Sequence, residues 1–305
     1  MAEKEYRTAK VGDREVPYDP EQMRKIQEHP CYSENACHAF GRCHLPVAPH
    51  CNIQCNYCVR DFDCVNESRP GVTSKVIKPE ESVELVRKVV EQFPYVKVIG
   101  IAGPGEPLAN PETFETLRLV HEAFPHLIMC ISTNGLLLPE KIDELQKYGV
   151  GNVTVTLNAI DPAIGEKIYS FVNYHGKHYT GREAAEILLK NQLEGIRMAI
   201  ERDIFVKVNC VYIPGINNDH IVDIAKKVGE MGAFSFNLIP VIPLYKFAEI
   251  VPPTAADKKA MQDQCAPYIK QMRHCARCRS DAIGRLGHDV QSRIYGTEII
   301  TEKKK

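Results

Sequence analysis

Three closely spaced cysteines constrain this chain more than any other feature of its sequence. Cys51, Cys55 and Cys58 occur at Cys-x3-Cys-x2-Cys spacing, directly after a Pro-containing run at 45–50. Three thiolates held this close together can bind three irons of a [4Fe–4S] cluster. The motif has no ligand for the fourth iron, which is therefore open to a small molecule that chelates through an amine and a carboxylate. S-adenosylmethionine (SAM) offers both groups at its amino-acid end.

This spacing is typical of radical SAM enzymes, in which an electron from the cluster breaks a C–S bond of SAM and releases a 5′-deoxyadenosyl radical. The two alternatives are a zinc knuckle and a plain electron-transfer cluster. Zinc would require a fourth Cys or His at similar local spacing, and an electron carrier would require a fourth cysteine to close its cluster. The spacing therefore predicts a radical SAM site with these three cysteines as its catalytic cluster ligands.

Composition and charge exclude several functions. The chain has 305 residues, 44% of them hydrophobic, which suits a single α/β barrel domain. Its net charge of −1 gives no electrostatic basis for binding nucleic acid or an anionic membrane. No apolar signal region begins the chain and no apolar run approaches a membrane span. We expect a cytoplasmic protein, in which the 12 cysteines serve metal binding or thiol chemistry rather than disulfides.

Short apolar runs alternate with amphipathic helical patterns through most of the chain. Strands are predicted near His44 and at 96–101, 127–132, 153–157, 205–211 and 234–239, with helices at 79–93, 111–124, 139–149, 182–200 and 221–231. Residues 161–179, rich in Tyr and His, are predicted to be a long loop. Such alternation indicates a parallel sheet covered by helices. We predict an α/β fold, a partial (βα)6 TIM-like barrel, with its reactive groups at the carboxyl ends of the strands.

Extensions flank this predicted barrel on both sides. Residues 1–43 form an N-terminal arm with a short helix at about 20–28, residues 44–250 the barrel, and residues 251–305 a C-terminal extension. That extension begins with a predicted helix at 255–272 and continues to Cys275 and Cys278, a second Cys-x2-Cys motif.

Several strands end in residues suited to binding SAM. Gly103, Gly105 and Glu106 follow the strand at 96–101, where glycine lets the backbone approach a ligand closely and the carboxylate can accept amino hydrogens of SAM. A simple turn is the alternative for this segment. Further candidates for SAM contacts, each of which has an ordinary turn or core role as its alternative, are Ser132, Asn134, Thr156, Asn158 and Ile213.

The runs at 51–58, 66–72 and 102–110 closely resemble the NifB family of radical SAM maturases of the nitrogenase cofactor. Shorter matches lie at 29–32, 158–162, 207–209, 213–217 and 275–278, so the resemblance covers about residues 29–290. The Asn-Glu-Ser-Arg-Pro-Gly run at 66–71 and the terminal Cys-x2-Cys make it specific. In place of the Asn-Arg-Lys that many members carry after the triad, this chain has Val59, Arg60 and Asp61. Many members also have a C-terminal NifX-like domain, and we expect a stand-alone form without it.

The resemblance implies an activity that spacing cannot show. Enzymes of this family fuse two [4Fe–4S] clusters, inserting a carbide derived from SAM and a sulfur, to form NifB-co, the eight-iron precursor of the nitrogenase cofactor. One SAM donates a methyl group, and a second supplies the radical that removes a hydrogen from it. The implied partners are SAM, iron–sulfur cluster donor proteins, and scaffold and carrier proteins of the NifEN and NifX type.

The resemblance also assigns ligands for the two substrate clusters. One set is Cys31, Cys64 and Cys130; the other is Cys265, Cys275 and Cys278, with His44 as a nitrogen ligand. Three-ligand sites suit clusters that must fuse and leave. Beside Cys64, the polar Glu67 and Arg69 are candidates to ligate iron, move protons or position a sulfide, with an outward salt bridge as the alternative. Without the resemblance, Cys130 would be taken for a buried apolar cysteine, as Cys210 is; Cys37 and Cys43 have no assigned role.

Two other functions compete with this one. The chain could be another radical SAM enzyme whose additional cysteines hold auxiliary electron-transfer clusters, or a non-catalytic iron–sulfur scaffold. Auxiliary clusters for electron transfer are usually closed by four cysteines. The grouping of the additional cysteines into sets of three therefore favours the maturase.

Overall fold

A computed structural model describes residues 8–11, 14–61, 63–66 and 75–295, with side chains from residue 18 onward. The helices are α1 (Pro20–Gln27), α2 (Glu34–Ala39), α3 (Pro79–Gln92), α4 (Pro111–Ala123), α5 (Leu138–Lys147), α6 (Pro162–Ile168), α7 (Gly181–Glu201), α8 (Ile221–Glu230), α9 (Ala255–Cys265) and α10 (Ser292–Tyr295). The strands are β1 (Thr8–Val11), β2 (Arg14–Pro17), β3 (Gly41–His44), β4 (Ile53–Cys55), β5 (Val96–Ile101), β6 (Ile128–Thr133), β7 (Val150–Thr156), β8 (Tyr169–Tyr174), β9 (Lys177–Tyr179), β10 (Phe205–Tyr212), β11 (Ser235–Pro240), β12 (Ile283–Arg285) and β13 (His288–Asp289). No helix in these ranges combines the length and apolarity that crossing a membrane would need.

Six parallel strands form the predicted partial barrel. They lie side by side in the order β11-β10-β7-β6-β5-β3, and the apolar faces of the flanking helices pack on them in one main core. Strands covered on both faces are buried throughout, as every residue of β7 is. The register pairs Thr154 with Lys207 and Thr156 with Asn209. Because side chains alternate along a strand, these polar residues share the inner face of the barrel. The predicted fold class is confirmed.

The C-terminal extension contacts both edges of this open sheet. Beside β11, the Phe236 amide donates to the Lys270 carbonyl and the Met272 amide donates to the Phe236 carbonyl, both at 2.8 Å. Beside β3, β12 pairs antiparallel, with Ile283 opposite Cys43. The stretch between these two attachments carries Cys275 and Cys278 across the gap between the first and last barrel strands. The predicted helix at 255–272 was too long, because the chain leaves α9 at Cys265 to pair with β11.

The prediction of a long loop at 161–179 was wrong. It contains α6 and the hairpin of β8 and β9, and β8 pairs antiparallel with β4, the strand that contains Cys55. Asp161 caps α6 by accepting a hydrogen bond from the Ala163 amide at 2.8 Å, with Pro162 in the first turn. An Asp-Pro pair at a helix start is a recognisable signal. The strand pairing itself depends on contacts between distant segments.

The N-terminal segment packs against the amino-terminal end of the barrel. The single proton of the Tyr32 hydroxyl is within hydrogen-bond distance of two carbonyl oxygens, that of Phe205 at 3.1 Å and that of Val153 at 3.3 Å. Its ring lies against Phe205 and Phe234. These contacts fix the turn that contains Cys31 beneath β7 and β10.

Candidate active site

A cavity of about 240 Å³, here called the upper cavity, lies at the carboxyl ends of the barrel strands. All three cysteines of the Cys-x3-Cys-x2-Cys motif line it, together with Cys64. Predicted SAM contacts that share this lining are Gly105, Glu106, Ser132, Asn134 and Thr156. The structure therefore brings the predicted cluster ligands and most of the predicted SAM residues to one cavity.

The loop that holds the three cysteines is fixed by its own polar groups. The Gln54 side-chain amide donates to the carbonyls of Cys58, at 2.7 Å, and Cys55, at 3.0 Å. Burial raises the pKa of the thiols of Cys51, Cys55 and Cys58, and the Arg60 guanidinium opposes that rise. Buried thiols of this kind become thiolates by binding metal, which displaces their protons.

Cys64 lies with this triad rather than with the cysteines predicted to be its partners. Burial raises the pKa of its thiol, and the proximity of the ionisable thiols of Cys58 and Cys51 raises that pKa further. Cys31 and Cys130 line a different cavity. A cluster bound by Cys31, Cys64 and Cys130 would therefore draw ligands from both cavities.

Glu106 is buried at the edge of the upper cavity and already accepts three hydrogen bonds. They come from the Thr133 hydroxyl at 2.5 Å, the Asn134 amide at 2.6 Å and the Leu108 amide at 3.1 Å. A carboxylate offers about four acceptor sites, so roughly one remains for a ligand. Burial raises the pKa of Glu106 to about 7 despite these donors. This side chain fits an N–H group of the SAM amino acid.

We expect Glu106→Gln to weaken SAM binding by roughly tenfold to a hundredfold, since a hydrogen bond to a charged group contributes about 1.5–3 kcal/mol. In the unsubstituted protein, affinity should fall as the pH drops below about 7, because protonation removes an acceptor from Glu106. SAM dissociation constants measured across this pH range in anaerobically reconstituted protein test both expectations. The glutamine variant should lack this pH dependence, and parallel curves for the two proteins would contradict the assignment.

Gly105 allows its segment to pack closely against the backbone that leads into the triad loop. A side chain there would meet the His50 carbonyl oxygen at 2.3 Å and the Pro49 carbonyl oxygen at 2.7 Å. The Gly105 amide donates to the Ala48 carbonyl at 2.5 Å. Glycine therefore joins the segment that contains Glu106 to the backbone just before Cys51. Gly103 has a positive φ of 143° and is not among the residues lining the cavity.

Besides Gly103, two predicted SAM residues do not line the upper cavity. Asn158 is fully buried, where its amide donates to the Tyr57 hydroxyl at 2.6 Å and its oxygen accepts from the Val211 amide at 2.8 Å. Ile213 belongs to the apolar cluster behind the triad loop. In the structure both residues support the walls of the site.

A second, narrower cavity of about 40 Å³ lies inside the barrel and is called the lower cavity. Five predicted ligands of the substrate clusters line it: Cys31, His44, Cys130, Cys275 and Cys278. Ser132 lines both cavities. Asp63, in the upper lining, also accepts a hydrogen bond from the Ser280 hydroxyl at 2.6 Å, close to Cys278. The two cavities are therefore neighbours that share a wall.

The lower cavity presents polar atoms suited to a charged, sulfur-rich occupant. His44 Nδ1 lies 3.0 Å from the Arg279 carbonyl oxygen, an arrangement that places the ring proton on Nδ1. The lone pair on Nε2 is then the one that can bind a metal. Burial lowers the pKa of His44 to about 4, which keeps the ring neutral as a metal ligand must be. Within the described ranges, His29 Nε2 and Asn237 Oδ1 are buried without a hydrogen-bond partner. Such atoms are costly to bury unless a ligand satisfies them.

Other predicted residues lie elsewhere. Cys265 is fully buried in the main apolar core at the end of α9 and lines neither cavity, so it does not share the lower cavity with Cys275 and Cys278. Cys210 is a buried core cysteine, as expected. Glu67 and Arg69 lie outside the described residues.

Among the described residues, no three His, Cys, Asp or Glu side chains converge closely enough to hold a single metal ion. Cluster ligands bind different irons and stand apart around the cluster, so a single-ion geometry is not what a [4Fe–4S] site requires. The chemistry of the donors, three thiols facing one cavity beside a buried carboxylate, fits a cluster that binds SAM.

Two buried cations that line the lower cavity, Arg42 and Lys207, were not among the residues predicted from the sequence. Both are almost fully buried, at 1% and 4% exposure. The available signal was alternation, because Arg42 stands two residues before His44 and Lys207 two before Asn209 on buried strands. A charged residue at such a position faces the barrel interior.

The fold and this cysteine site define a radical SAM protein. The model of the radical SAM superfamily matches residues 45–228, more than half of the chain. Among solved structures, Streptococcus suis SuiB bound to S-adenosylmethionine superposes with a TM-score of 0.56 at 14% identity, covering 82% of this chain and 53% of that one. A radical SAM methyltransferase from Sphaerobacter thermophilus gives 0.51 at 18% identity, covering 76% and 64%. These likenesses concern the fold.

Within that superfamily, the chain belongs to the NifB family. It is 47% identical over 283 residues to the FeMo cofactor biosynthesis protein NifB of Bradyrhizobium diazoefficiens, covering 90% of this chain and 57% of that protein. It is 48% identical over 263 residues to the protein of that name from Methanocaldococcus infernus, covering 86% of each. The chain therefore spans little more than half the length of the first relative and most of the second. The resemblance predicted from the motifs is confirmed.

Proposed function

We propose that this protein is a radical SAM enzyme of nitrogenase cofactor biosynthesis, which fuses two [4Fe–4S] clusters around a carbide derived from SAM and adds a sulfur to form NifB-co. The observation that carries this proposal is the pair of adjoining cavities. One is lined by the Cys-x3-Cys-x2-Cys triad and the other by a separate group of cysteines with a neutral histidine. A plain radical SAM enzyme would need only the first.

In the upper cavity, Cys51, Cys55 and Cys58 would hold the resident [4Fe–4S] cluster. With SAM bound, that cluster would supply the electron for reductive cleavage of a C–S bond of SAM. Glu106 would accept a hydrogen bond from the SAM amino group through its remaining lone pair. Ser132, at the shared wall, lies where SAM and a substrate cluster would meet.

In the lower cavity, we propose that His44, Cys275 and Cys278 hold one substrate cluster. Cys31 and Cys130, with Cys64 reached across the shared wall, would hold the other. Cys265 has no ligand role in this proposal, because it is enclosed in the apolar core. A cluster is larger than the narrow lower cavity, so loading requires its lining to move apart.

The buried cations support this proposal electrostatically. A cluster bound by thiolates is anionic, and a buried anion is stable only when it is paired or hydrogen-bonded. Arg42 and Lys207 bring two positive charges to the cavity lining. We further propose that SAM, cluster donor proteins, and scaffold and carrier proteins of the NifEN and NifX type are its partners.

The proposal is tested by anaerobic reconstitution, followed by iron quantification, EPR before and after SAM addition, and maturation of nitrogenase that lacks its cofactor. We expect three cluster signals, SAM consumption with 5′-deoxyadenosine release, and active nitrogenase. Deoxyadenosine without any maturation would favour a different radical SAM enzyme with auxiliary clusters. Iron loading with SAM left intact would favour a non-catalytic scaffold.

A further inference from the structure

Arg42 lines the lower cavity with every N–H group of its guanidinium hydrogen-bonded. Its side chain is 2% exposed, and it projects from β3 toward the C-terminal extension. A guanidinium carries five N–H donors in a fixed fork. All five are used here, by one sulfur atom, two backbone carbonyls and one carboxylate.

Two of these donors meet at a predicted cluster ligand. Arg42 Nε lies 3.3 Å and Nη2 lies 3.2 Å from Sγ of Cys278. The other three hold the fork in place: Nη1 donates to the carbonyls of Gly284 at 2.6 Å and Arg285 at 2.9 Å, and Nη2 donates to Asp289 at 2.5 Å. The acceptors other than the sulfur all belong to β12 and β13, which are paired with one another beside β3.

We propose that Arg42 is a positioning residue that hydrogen-bonds the Cys278 thiolate, raising the reduction potential of the cluster bound there and weakening its iron–sulfur bond. This inference rests on the proposed function, which places a substrate cluster on Cys278. Hydrogen bonds to ligand sulfur stabilise the more negative, reduced cluster and therefore raise its potential. They also withdraw electron density from the sulfur, which suits a ligand that must release its cluster when two clusters fuse.

Lysine cannot take over this arrangement. Its ammonium has three donors on one nitrogen and lacks the planar fork that reaches the sulfur and the β12 carbonyls together. Arg42→Lys therefore keeps the positive charge and removes the paired N–H···S contacts. Asp289→Asn is the matched control, because it removes a charged partner of Arg42 and leaves both donors to Cys278 in place.

The test is an EPR-monitored redox titration of reconstituted full-length protein, in which loss of a signal from Cys278→Ser identifies the cluster concerned. In Arg42→Lys we expect its midpoint to become more negative by about 59 mV or more, a tenfold change in the one-electron equilibrium. Asp289→Asn, which removes a negative charge and keeps both N–H donors to the sulfur, should not make the midpoint more negative. An unchanged midpoint in Arg42→Lys, at unchanged iron content, would overturn the inference.

A second measurement needs no variant at Arg42. In protein labelled with 15N-arginine, pulsed EPR of the same cluster should detect a coupled guanidinium nitrogen, and its absence would overturn the inference even if Arg42→Lys failed to fold. The failure of the proposed function is distinguishable from both results. The proposed function fails if wild-type protein that cleaves SAM does not mature nitrogenase, whatever the midpoint of the Cys278 cluster, or if it binds no iron beyond the triad cluster and Cys278→Ser removes no signal.

Discussion

Cys55→Ala is expected to reduce SAM cleavage to the detection limit, with little change in the folding of the cluster-free chain. Cys55 is the central cysteine of the triad, it is 5% exposed, and it faces the upper cavity. Two remaining thiolates cannot hold a cluster that leaves a single iron open for SAM. The measurement is 5′-deoxyadenosine released from SAM under strong reductant, together with thermal unfolding of the cluster-free protein.

Cys210→Ala is the matched control for this prediction. Cys210 is also a buried cysteine on a strand, here the barrel strand β10, but it packs in the main core and lines neither cavity. A free buried cysteine behaves as a small apolar residue, so its replacement should lower the free energy of unfolding by about 1 kcal/mol. SAM cleavage should be unchanged. Equal loss of deoxyadenosine in both variants would mean that general destabilisation, rather than cluster ligation, explains the effect.

The parts of this molecule that could be predicted from sequence are those specified by local patterns. The strand at 96–101 was predicted at its observed bounds because a run of buried β-branched residues is bounded by turn residues on both sides. The helix predicted at 79–93 ends one residue earlier, at Gln92, and its start is marked by Pro79 and by Glu81, which accepts from the Lys78 amide at 2.8 Å. The triad spacing likewise predicted three thiols at a single cavity.

What the sequence could not supply are placements decided by distant partners. The hairpin of β8 and β9 forms because it pairs with β4, more than a hundred residues earlier. The C-terminal extension shows no βα pattern because its backbone completes the two edges of a sheet built by other segments. Arg42 could be assigned no role without knowing that Cys278 lies beside it, 236 residues later in the chain.

The positions of the cysteines in the two cavities also could not be predicted from the sequence. Spacing gives no distance between Cys64, which lies with the triad, and Cys31 or Cys130, which line the lower cavity. The helical pattern before Cys275 gives no indication that Cys265 turns into the apolar core. Membership of a ligand set is therefore a question of geometry, and the resemblance and the structure give different expectations for Cys265.

Cys275→Ala should keep SAM cleavage while abolishing maturation of nitrogenase that lacks its cofactor. The variant retains the complete triad and the SAM residues of the upper cavity, but it removes a thiol from the stretch that spans the barrel opening. Iron content should fall by about four atoms per chain, the content of one [4Fe–4S] cluster. Deoxyadenosine formation, iron content and maturation, measured on the same preparation, separate the two cavities.

Cys265→Ala decides between the two expectations for that ligand set. If the structure is the better guide, Cys265→Ala retains its iron and its maturation activity, because the side chain is fully buried among apolar residues. If Cys265 belongs to the ligand set that the resemblance implies, Cys265→Ala loses about four irons per chain, as Cys275→Ala does. Loss of SAM cleavage in Cys275→Ala to the level of Cys55→Ala would instead show that the two cavities do not act as separate cluster sites.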